Sequence, residues 1–172
     1  NPTRTGLLDI LRAMGADIEV LDLSTRGPEP VADLLIRPSK LRGIVVPEEC
    51  VPLAIDEFPV FFIAAACAQG RSLLRGAEEL RVKESDRLAV MSKGLQALGV
   101  PHRLLADGME IDGHAGEGPV FGAGTIDSHG DHRIAMSFAV ASLRAAADIV
   151  IEDTANVATS FPGFVALARE AG

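Results

Sequence analysis

The sequence contains no tryptophan and no tyrosine, and it has only two cysteines. Cys50 and Cys67 lack the CxxC spacing of a metal or redox site, and Cys67 lies within an apolar run. We therefore expect a reduced, cytoplasmic protein without a disulfide bond. No apolar run reaches the roughly 20 residues that cross a bilayer, and the first residues lack the apolar core of a signal peptide, so no membrane association is expected.

Positive charge is also scarce. Sixteen Lys and Arg residues stand against 24 Asp and Glu residues, which gives a formal net charge of −8. The basic residues are dispersed along the chain, and no aromatic residues alternate with them. The sequence therefore lacks the basic surface that nucleic-acid binding requires, and we expect no nucleic-acid partner.

The length of 172 residues suffices for one ordinary domain with a sizeable core. The chain begins without methionine, directly at the predicted start of a helix, where Asn1 is followed by Pro2. We expect the chain to be a fragment of a longer protein.

Helices and strands alternate along the chain, as judged from apolar spacing and from Gly and Pro positions. The predicted strands are residues 18–23, 34–37, 43–46, 73–75, 103–105, 109–111 and 149–151. The predicted helices are residues 3–14, 56–68, 86–98 and 132–145, followed by a last helix that Ser160-Phe161-Pro162 opens. Turns are predicted at 27–30 and at Asp107-Gly108, and a glycine-rich loop at 113–124. The helices 56–68 and 132–145 are apolar on nearly every side, which predicts that both are buried.

Internal repetition organises these elements. The helices 61–68 and 136–143 align at an offset of 75 residues, as do Asp56 and Asp131. The segment 11–15 matches 95–99 at an offset of 84 residues, and paired strands follow each copy. We infer a repeated β-α-β-α-β-β unit, present once in full and twice in part.

Three polar clusters interrupt the apolar segments, each at the start of a predicted helix. They are Asp56-Glu57, the run 80–88 and the run 129–133. Free N–H groups at converging helix starts would form an anion-binding concavity, to which Arg87 and Arg133 would add bidentate forks. The alternative is that the run 80–88 has no binding role and is a solvated first helical turn.

Carboxylates are unexpected in an anion site. Asp56 and Glu84 would repel the ligand unless they move protons. We expect burial and like charge to raise their pKa values enough for acid or base chemistry.

The segment 80–87, together with Asp131-His132-Arg133-Ile134-Ala135-Met136, resembles the two signatures of the 5-enolpyruvylshikimate-3-phosphate (EPSP) synthase family. The resemblance runs end to end and covers the C-terminal portion of such enzymes. It implies that residues 1–172 are a single incomplete α/β domain of a two-domain enolpyruvyl transferase. The implied architecture is a truncated inside-out α/β barrel, with sheets outside and parallel helices buried inside.

The resemblance also implies the reaction. These enzymes transfer the enolpyruvyl group of phosphoenolpyruvate to the 5-hydroxyl of shikimate 3-phosphate and release phosphate, without a metal or organic cofactor. Asp56 matches the acceptor of the hydroxyl proton, and Glu84 matches the carboxylate that exchanges a proton with the methylene carbon. Lys83 matches a residue that contacts both shikimate 3-phosphate and the reacting centre.

The remaining implied residues bind substrate. Arg87 and Arg133 match arginines that bind phosphoenolpyruvate, and His132 matches their neighbour. The sequence departs from many members at Thr159, where they have lysine, and at Glu79, where they have asparagine. These two differences suggest the glyphosate-tolerant branch, with Glu79 at the substrate site.

Four alternatives remain from the residues. The related UDP-N-acetylglucosamine enolpyruvyl transferases share the repeat but not the Lys-Glu-Arg signature. A metal-dependent hydrolase could use the four side chains of Asp127, His129, Asp131 and His132. The fragment alone could be a non-catalytic binding module. In fold, a doubly wound sheet is the alternative.

Overall fold

The computed structural model describes residues 1–26, 29–114 and 116–171. The predicted α/β class is confirmed. The helices are α1 (Gly6–Ala13), α2 (Phe58–Ala66), α3 (Arg87–Ala97), α4 (His132–Ala141), α5 (Ala155–Ser160) and α6 (Phe164–Ala171). The strands are β1 (Asp17–Arg26), β2 (Glu29–Arg37), β3 (Gly70–Leu74), β4 (His102–Leu104), β5 (Met109–Gly113), β6 (Gly124–Asp127) and β7 (Ile149–Glu152).

The strands form three small sheets in the described part of the chain. An antiparallel hairpin joins β1 and β2, with Asp17 opposite Arg37. The order β3-β5-β4 is antiparallel throughout, and its β4–β5 pair is the predicted hairpin. The strands β6 and β7 are parallel, with α4 between them in sequence. The described residues therefore do not form a single doubly wound sheet.

Helices α2 and α4 pack against each other in the centre of the core. Phe58, Phe61 and Phe62 of α2 and Phe138 of α4 are all at most 1% exposed. The prediction that helix 56–68 is buried is confirmed, because a helix that is apolar on every side needs protein on every side. For helix 132–145 the prediction is only partly right, since one side is exposed at Val140 (40%) and at Leu143 (64%). None of the helices in the described ranges combines the length and the apolar character that a bilayer crossing needs.

The predicted repeat has a structural counterpart. Helices α1 and α3 both end in a glycine with positive φ, Gly15 at 96° and Gly99 at 77°. In both, the residue after the glycine donates its N–H to the carbonyl five residues before it, Ala16 to Leu11 and Val100 to Leu95. This backbone pattern is the Schellman end of a helix. An antiparallel hairpin follows each helix. The inside-out barrel arrangement remains a prediction.

Several predicted boundaries were wrong. Residues 43–46 were predicted as a strand, but they form only one isolated parallel bridge, between Val45 and Leu73. A second isolated bridge joins the preceding residue, Arg42, to Gln69. Helix 132–145 ends at Ala141, where a 3-10 turn takes over. Ser160 closes α5 instead of opening the last helix, because α6 begins at Phe164, after Pro162. Of the predicted turn 27–30, residues 27 and 28 lie outside the described residues.

Candidate active site

Asp56 lies at the centre of a cluster of charged side chains. It belongs to the 3-10 turn Ile55–Glu57, which leads directly into α2. Pro59 is tolerated in the first turn of α2, because no N–H is needed there. The Asp56 side chain is 16% exposed, so protein groups must satisfy most of its carboxylate.

Arg87, the first residue of α3, has a side chain that is 1% exposed. Its guanidinium donates to three carboxylates, from Nε to Asp131 Oδ2 at 2.8 Å, from Nη1 to Asp56 Oδ1 at 3.1 Å and from Nη2 to Glu84 Oε2. The rigid fork of a guanidinium can satisfy several partners in fixed directions. Arg87 therefore joins the starts of α2, α3 and α4.

Asp131 is 0% exposed and precedes α4. Its Oδ1 accepts from the backbone N–H of Arg133 at 2.9 Å, and its Oδ2 accepts from Arg87 and from Ser85 Oγ at 3.1 Å. Burial alone would raise the pKa of Asp131, but the hydrogen bond and charge of Arg87, with the hydrogen bonds from Arg133 N and Ser85, outweigh burial and lower the pKa below its ordinary value of 3.8. Asp131 is therefore a carboxylate at neutral pH.

Lys83 lies between two carboxylates. Its Nζ is 3.6 Å from Asp56 Oδ1 and donates to Glu79 Oε1. The hydrogen bond to Glu79 raises the pKa of Lys83 more than burial lowers it, and the charge of Asp56 raises it further. Lys83 is therefore a fixed positive charge beside Asp56.

Arg133 approaches Asp56 from α4. Its Nη1 donates to the Asp56 carbonyl oxygen at 3.1 Å and to Glu57 Oε1 at 3.3 Å, and its Nη2 lies 3.9 Å from Asp56 Oδ2. The side chain is 29% exposed, much more than that of Arg87. Arg133 is therefore open to a ligand from solvent.

The pKa of Asp56 is lowered, which contradicts the expectation that it would be raised. Burial does raise the pKa, but the charges of Arg133 and Lys83 and the hydrogen bond and charge of Arg87 outweigh it. The net effect holds the pKa of Asp56 below its ordinary value of 3.8. Asp56 is thus ionised at neutral pH and can accept a proton.

The expected concavity of free helix N–H groups is only partly present. Asp86 accepts from the backbone N–H of Ala89 at the start of α3, and Asp131 caps α4 in the same way. These carboxylates occupy the N–H groups that were expected to bind an anion. Positive charge for an anion comes instead from side chains, namely Lys83, Arg87 and Arg133.

The geometry also contradicts the metal-hydrolase alternative. Among the described residues, no three His, Cys, Asp or Glu side chains come together as ligands for one ion. His129 Nδ1 lies 3.6 Å from Asp127, whereas Asp131 is directed to Arg87. His132 is half-buried as the first residue of α4. The four side chains therefore do not form one ligand set.

Sequence reasoning missed one member of the cluster, Arg4. Arg4 Nη1 donates to Asp56 Oδ2 at 3.1 Å, across 52 residues of sequence. Ser85 and Asp131 lie in the polar runs 80–88 and 129–133, but their bonds were not predicted: Asp131 accepts from both Arg87 and Ser85. Only the capping role of Asp131 has a sequence signal, an aspartate directly before a helix. No local pattern at Arg4 points to Asp56.

An apolar cavity of about 250 Å³ adjoins the cluster. Its wall includes Val60 of α2 and Met136 of α4, with Phe161 and Phe164 from the C-terminal segment, and Asp56, Glu57 and Arg133 reach its edge. Thr159 lies nearby in sequence, in α5, where its Oγ1 donates to the carbonyl of Asn156 at 2.9 Å. The glyphosate tolerance suggested by Thr159 and Glu79 stays a prediction.

Comparison with known proteins identifies the family. The sequence model described as EPSP synthase (3-phosphoshikimate 1-carboxyvinyltransferase) matches residues 1–167. The chain belongs to the EPSP synthase family. The prediction drawn from the two signatures is therefore confirmed.

Individual EPSP synthases support the same family assignment. The 3-phosphoshikimate 1-carboxyvinyltransferase of Halorhodospira halophila is 63% identical over 172 residues, and that of Alkalilimnicola ehrlichii is 62% identical over the same length. An EPSP synthase structure from Acinetobacter baumannii covers 100% of the chain with a TM-score of 0.98 and 53% identity. The chain spans 38% of the length of these two curated relatives and 40% of the length of that structure.

Proposed function

We propose that this chain supplies one wall of the active site of a 3-phosphoshikimate 1-carboxyvinyltransferase. Such an enzyme would transfer the enolpyruvyl group of phosphoenolpyruvate to the 5-hydroxyl of shikimate 3-phosphate, as a step of the shikimate pathway. One observation carries the proposal. Asp56, a largely buried carboxylate, has the side chains of Arg4, Lys83, Arg87 and Arg133 within 3.1 to 3.9 Å. A base among fixed positive charges suits the addition of a hydroxyl to an anionic enol phosphate.

Asp56 is proposed as the base that takes the proton from the 5-hydroxyl. The charges of Arg133 and Lys83 and the hydrogen bond and charge of Arg87 keep it ionised in the free protein, so it can accept a proton. When anionic substrates bind to these cations, they add negative charge next to Asp56 and neutralise its partners. Both effects raise the pKa of Asp56, so binding would strengthen the base at the moment it is needed.

Glu84 is proposed as the group that gives a proton to the methylene carbon and later removes it. Its side chain is 52% exposed, although it accepts from Arg87. The addition places a proton on this carbon as the substrate oxygen bonds to the neighbouring carbon. The elimination takes a proton from the same carbon as phosphate leaves, which restores the carbon–carbon double bond and gives the enol ether of the product.

The proposed substrate-binding residues differ in how accessible they are. Lys83 and Arg133 are 21% and 29% exposed, so they can meet an anion directly. Arg87 is 1% exposed and already bound to three carboxylates, so a ligand reaches it only by replacing a carboxylate such as that of Glu84. His132 and Glu79 complete the proposed set, and the reaction needs no metal or organic cofactor.

Residues 1–172 are proposed to be one incomplete domain of the two-domain enzyme. The chain covers 38% of the length of the H. halophila relative, so the opposite wall of the site would come from the rest of such a protein. We also propose a cytoplasmic location, for which the two cysteines without a disulfide are the supporting observation.

A chimera tests the function. The chain replaces the matching segment of the H. halophila relative, and phosphate release is measured with phosphoenolpyruvate and shikimate 3-phosphate. We expect turnover by the chimera and none by the 172 residues alone. Turnover by the 172 residues alone would refute the proposed need for a second wall, and an inactive but folded chimera would refute the proposed function.

Replacing the proposed base gives the sharper test. The Asp56→Ala chimera should lose about 10²- to 10⁴-fold in kcat, as expected when a general base is removed. Asp148→Ala, which removes an exposed carboxylate just before β7, outside the cluster, is the control and should leave kcat unchanged. If both variants behave alike, Asp56 has no part in the mechanism.

A further inference from the structure

The N-terminal turn holds Arg4 in a defined place. Asn1 Oδ1 accepts from Thr3 N at 3.0 Å and from Thr3 Oγ1 at 2.8 Å, and Arg4 N donates to the Asn1 carbonyl at 2.9 Å. These bonds form a capped 3-10 turn, Pro2–Arg4. The path of the chain from the first residue to Arg4 is therefore fixed by its own side chains.

The turn is seated against the segment that leads to Asp56. Gly6 N donates to the Leu53 carbonyl at 3.3 Å, three residues before Asp56. A Cβ atom at Gly6 would lie 2.8 Å from the Leu53 carbonyl carbon, so only glycine permits this approach. The contact brings Arg4 to Asp56 although 52 residues separate them in sequence.

The two oxygens of Asp56 have different partners. Oδ1 accepts from Arg87 at 3.1 Å and lies 3.6 Å from Lys83. Oδ2 accepts from Arg4 Nη1 at 3.1 Å, whereas Arg133 is 3.9 Å away, beyond hydrogen-bond distance. Among the described residues, Arg4 is the one that holds Oδ2 by a hydrogen bond, and it fixes the rotation of the carboxylate.

We propose that Arg4 is a positioning residue, which orients the carboxylate of Asp56 by holding Oδ2 while Arg87 holds Oδ1. This inference rests on the proposed role of Asp56 as the base. The Arg4 side chain is 54% exposed, so its ion pair adds little to folding stability. The ion pair contributes instead to the orientation of Asp56, because a base must point at the proton that it removes.

A direct titration tests the contact without any turnover. The Asp56 carboxyl is titrated by ¹³C NMR in the 172-residue chain. Arg4→Gln should raise the titration midpoint of Asp56, because a cation at 3.1 Å is removed from Oδ2. Arg12→Gln is the matched control, since Arg12 is a half-exposed arginine of α1 that pairs with Asp9. A midpoint that is the same in wild type and Arg4→Gln would overturn the proposal.

Kinetics of the chimera then separate positioning from substrate binding. Arg4→Gln should lower kcat by about 10- to 100-fold with little change in KM for either substrate, as expected for a misoriented catalytic group. Arg4→Lys, which keeps the charge and one donor, should restore part of kcat. A raised KM with unchanged kcat would make Arg4 a substrate ligand and overturn the positioning role. If the wild-type chimera is inactive, the proposed function fails, and the titration still decides the contact.

Discussion

Arg87 shows that a buried charge in this cluster needs partners of opposite charge. A guanidinium that is 1% exposed stays charged, so its burial is tolerable only with carboxylates in the right places. Asp131, which is 0% exposed, satisfies Nε and also caps α4. Loss of Asp131 would leave a buried cation without one of its partners and a helix without its cap.

We therefore predict that Asp131→Ala destabilises the fold strongly. The free energy of unfolding should fall by about 3–5 kcal/mol, the usual cost of breaking a buried ion pair from one side. Urea unfolding measures the change. Asp148→Ala, which removes an exposed carboxylate just before β7, should change stability by less than about 0.5 kcal/mol. A loss below about 1 kcal/mol for Asp131→Ala would show that water replaces the missing partner.

The sequence was sufficient to predict most residues of this cluster but not their pairing. The resemblance to the family assigned Lys83, Arg87 and Arg133 to the same site as Asp56. In the structure each of these three side chains lies within 3.9 Å of the Asp56 carboxylate. The direction of the Asp56 pKa was mistaken, because it depends on how many cations reach one carboxylate. Such counts follow from tertiary packing, which also decides the Arg4 contact.

At the scale of elements, the long apolar helices were predictable and the short irregular segments were not. α2 lies within its predicted span, because burial on all sides leaves a clear pattern. α4 begins where predicted but ends at Ala141 instead of residue 145. Residues 43–46 have the apolar sequence of a strand, but only isolated bridges join them to their neighbours. α5 was missed, because Ser160 before Pro162 has the pattern of a helix start.

The contact between α3 and α4 depends on a single glycine. A Cβ atom at Gly94 would lie 2.2 Å from the ring of Phe138, which is fully buried. We predict that Gly94→Ala lowers the free energy of unfolding by about 1–3 kcal/mol, the usual effect of overpacking. This loss should exceed the gain in helix propensity of up to about 1 kcal/mol. Urea unfolding again gives the measurement.

Gly118→Ala is the control for this substitution. No heavy atom lies within 4 Å of a Cβ at position 118, so the change should be close to neutral. An equal or greater stability of Gly94→Ala would mean that α4 moves away from α3 at little cost.

At the scale of the whole molecule, the charged cluster makes the stability of the fold depend on pH. Asp56 and Asp131 both have a pKa below the ordinary value of 3.8, because the cations around them outweigh burial. The folded state therefore binds fewer protons than the unfolded state in the acid range. Stability from these groups is complete above the ordinary pKa and is lost as pH falls through the folded pKa.

We accordingly predict that the free energy of unfolding changes little between neutral pH and about pH 5, and falls steeply below about pH 4. Asp131→Asn isolates the share of one carboxylate, because asparagine can still cap α4 but carries no charge for Arg87. This variant should be less stable than wild type at neutral pH. The two free energies should converge as the pH falls, since a protonated Asp131 is also neutral. Urea unfolding of both proteins across this pH range gives the comparison. A stability difference that stays constant down to the lowest pH would show that Arg87 does not depend on the charge of Asp131.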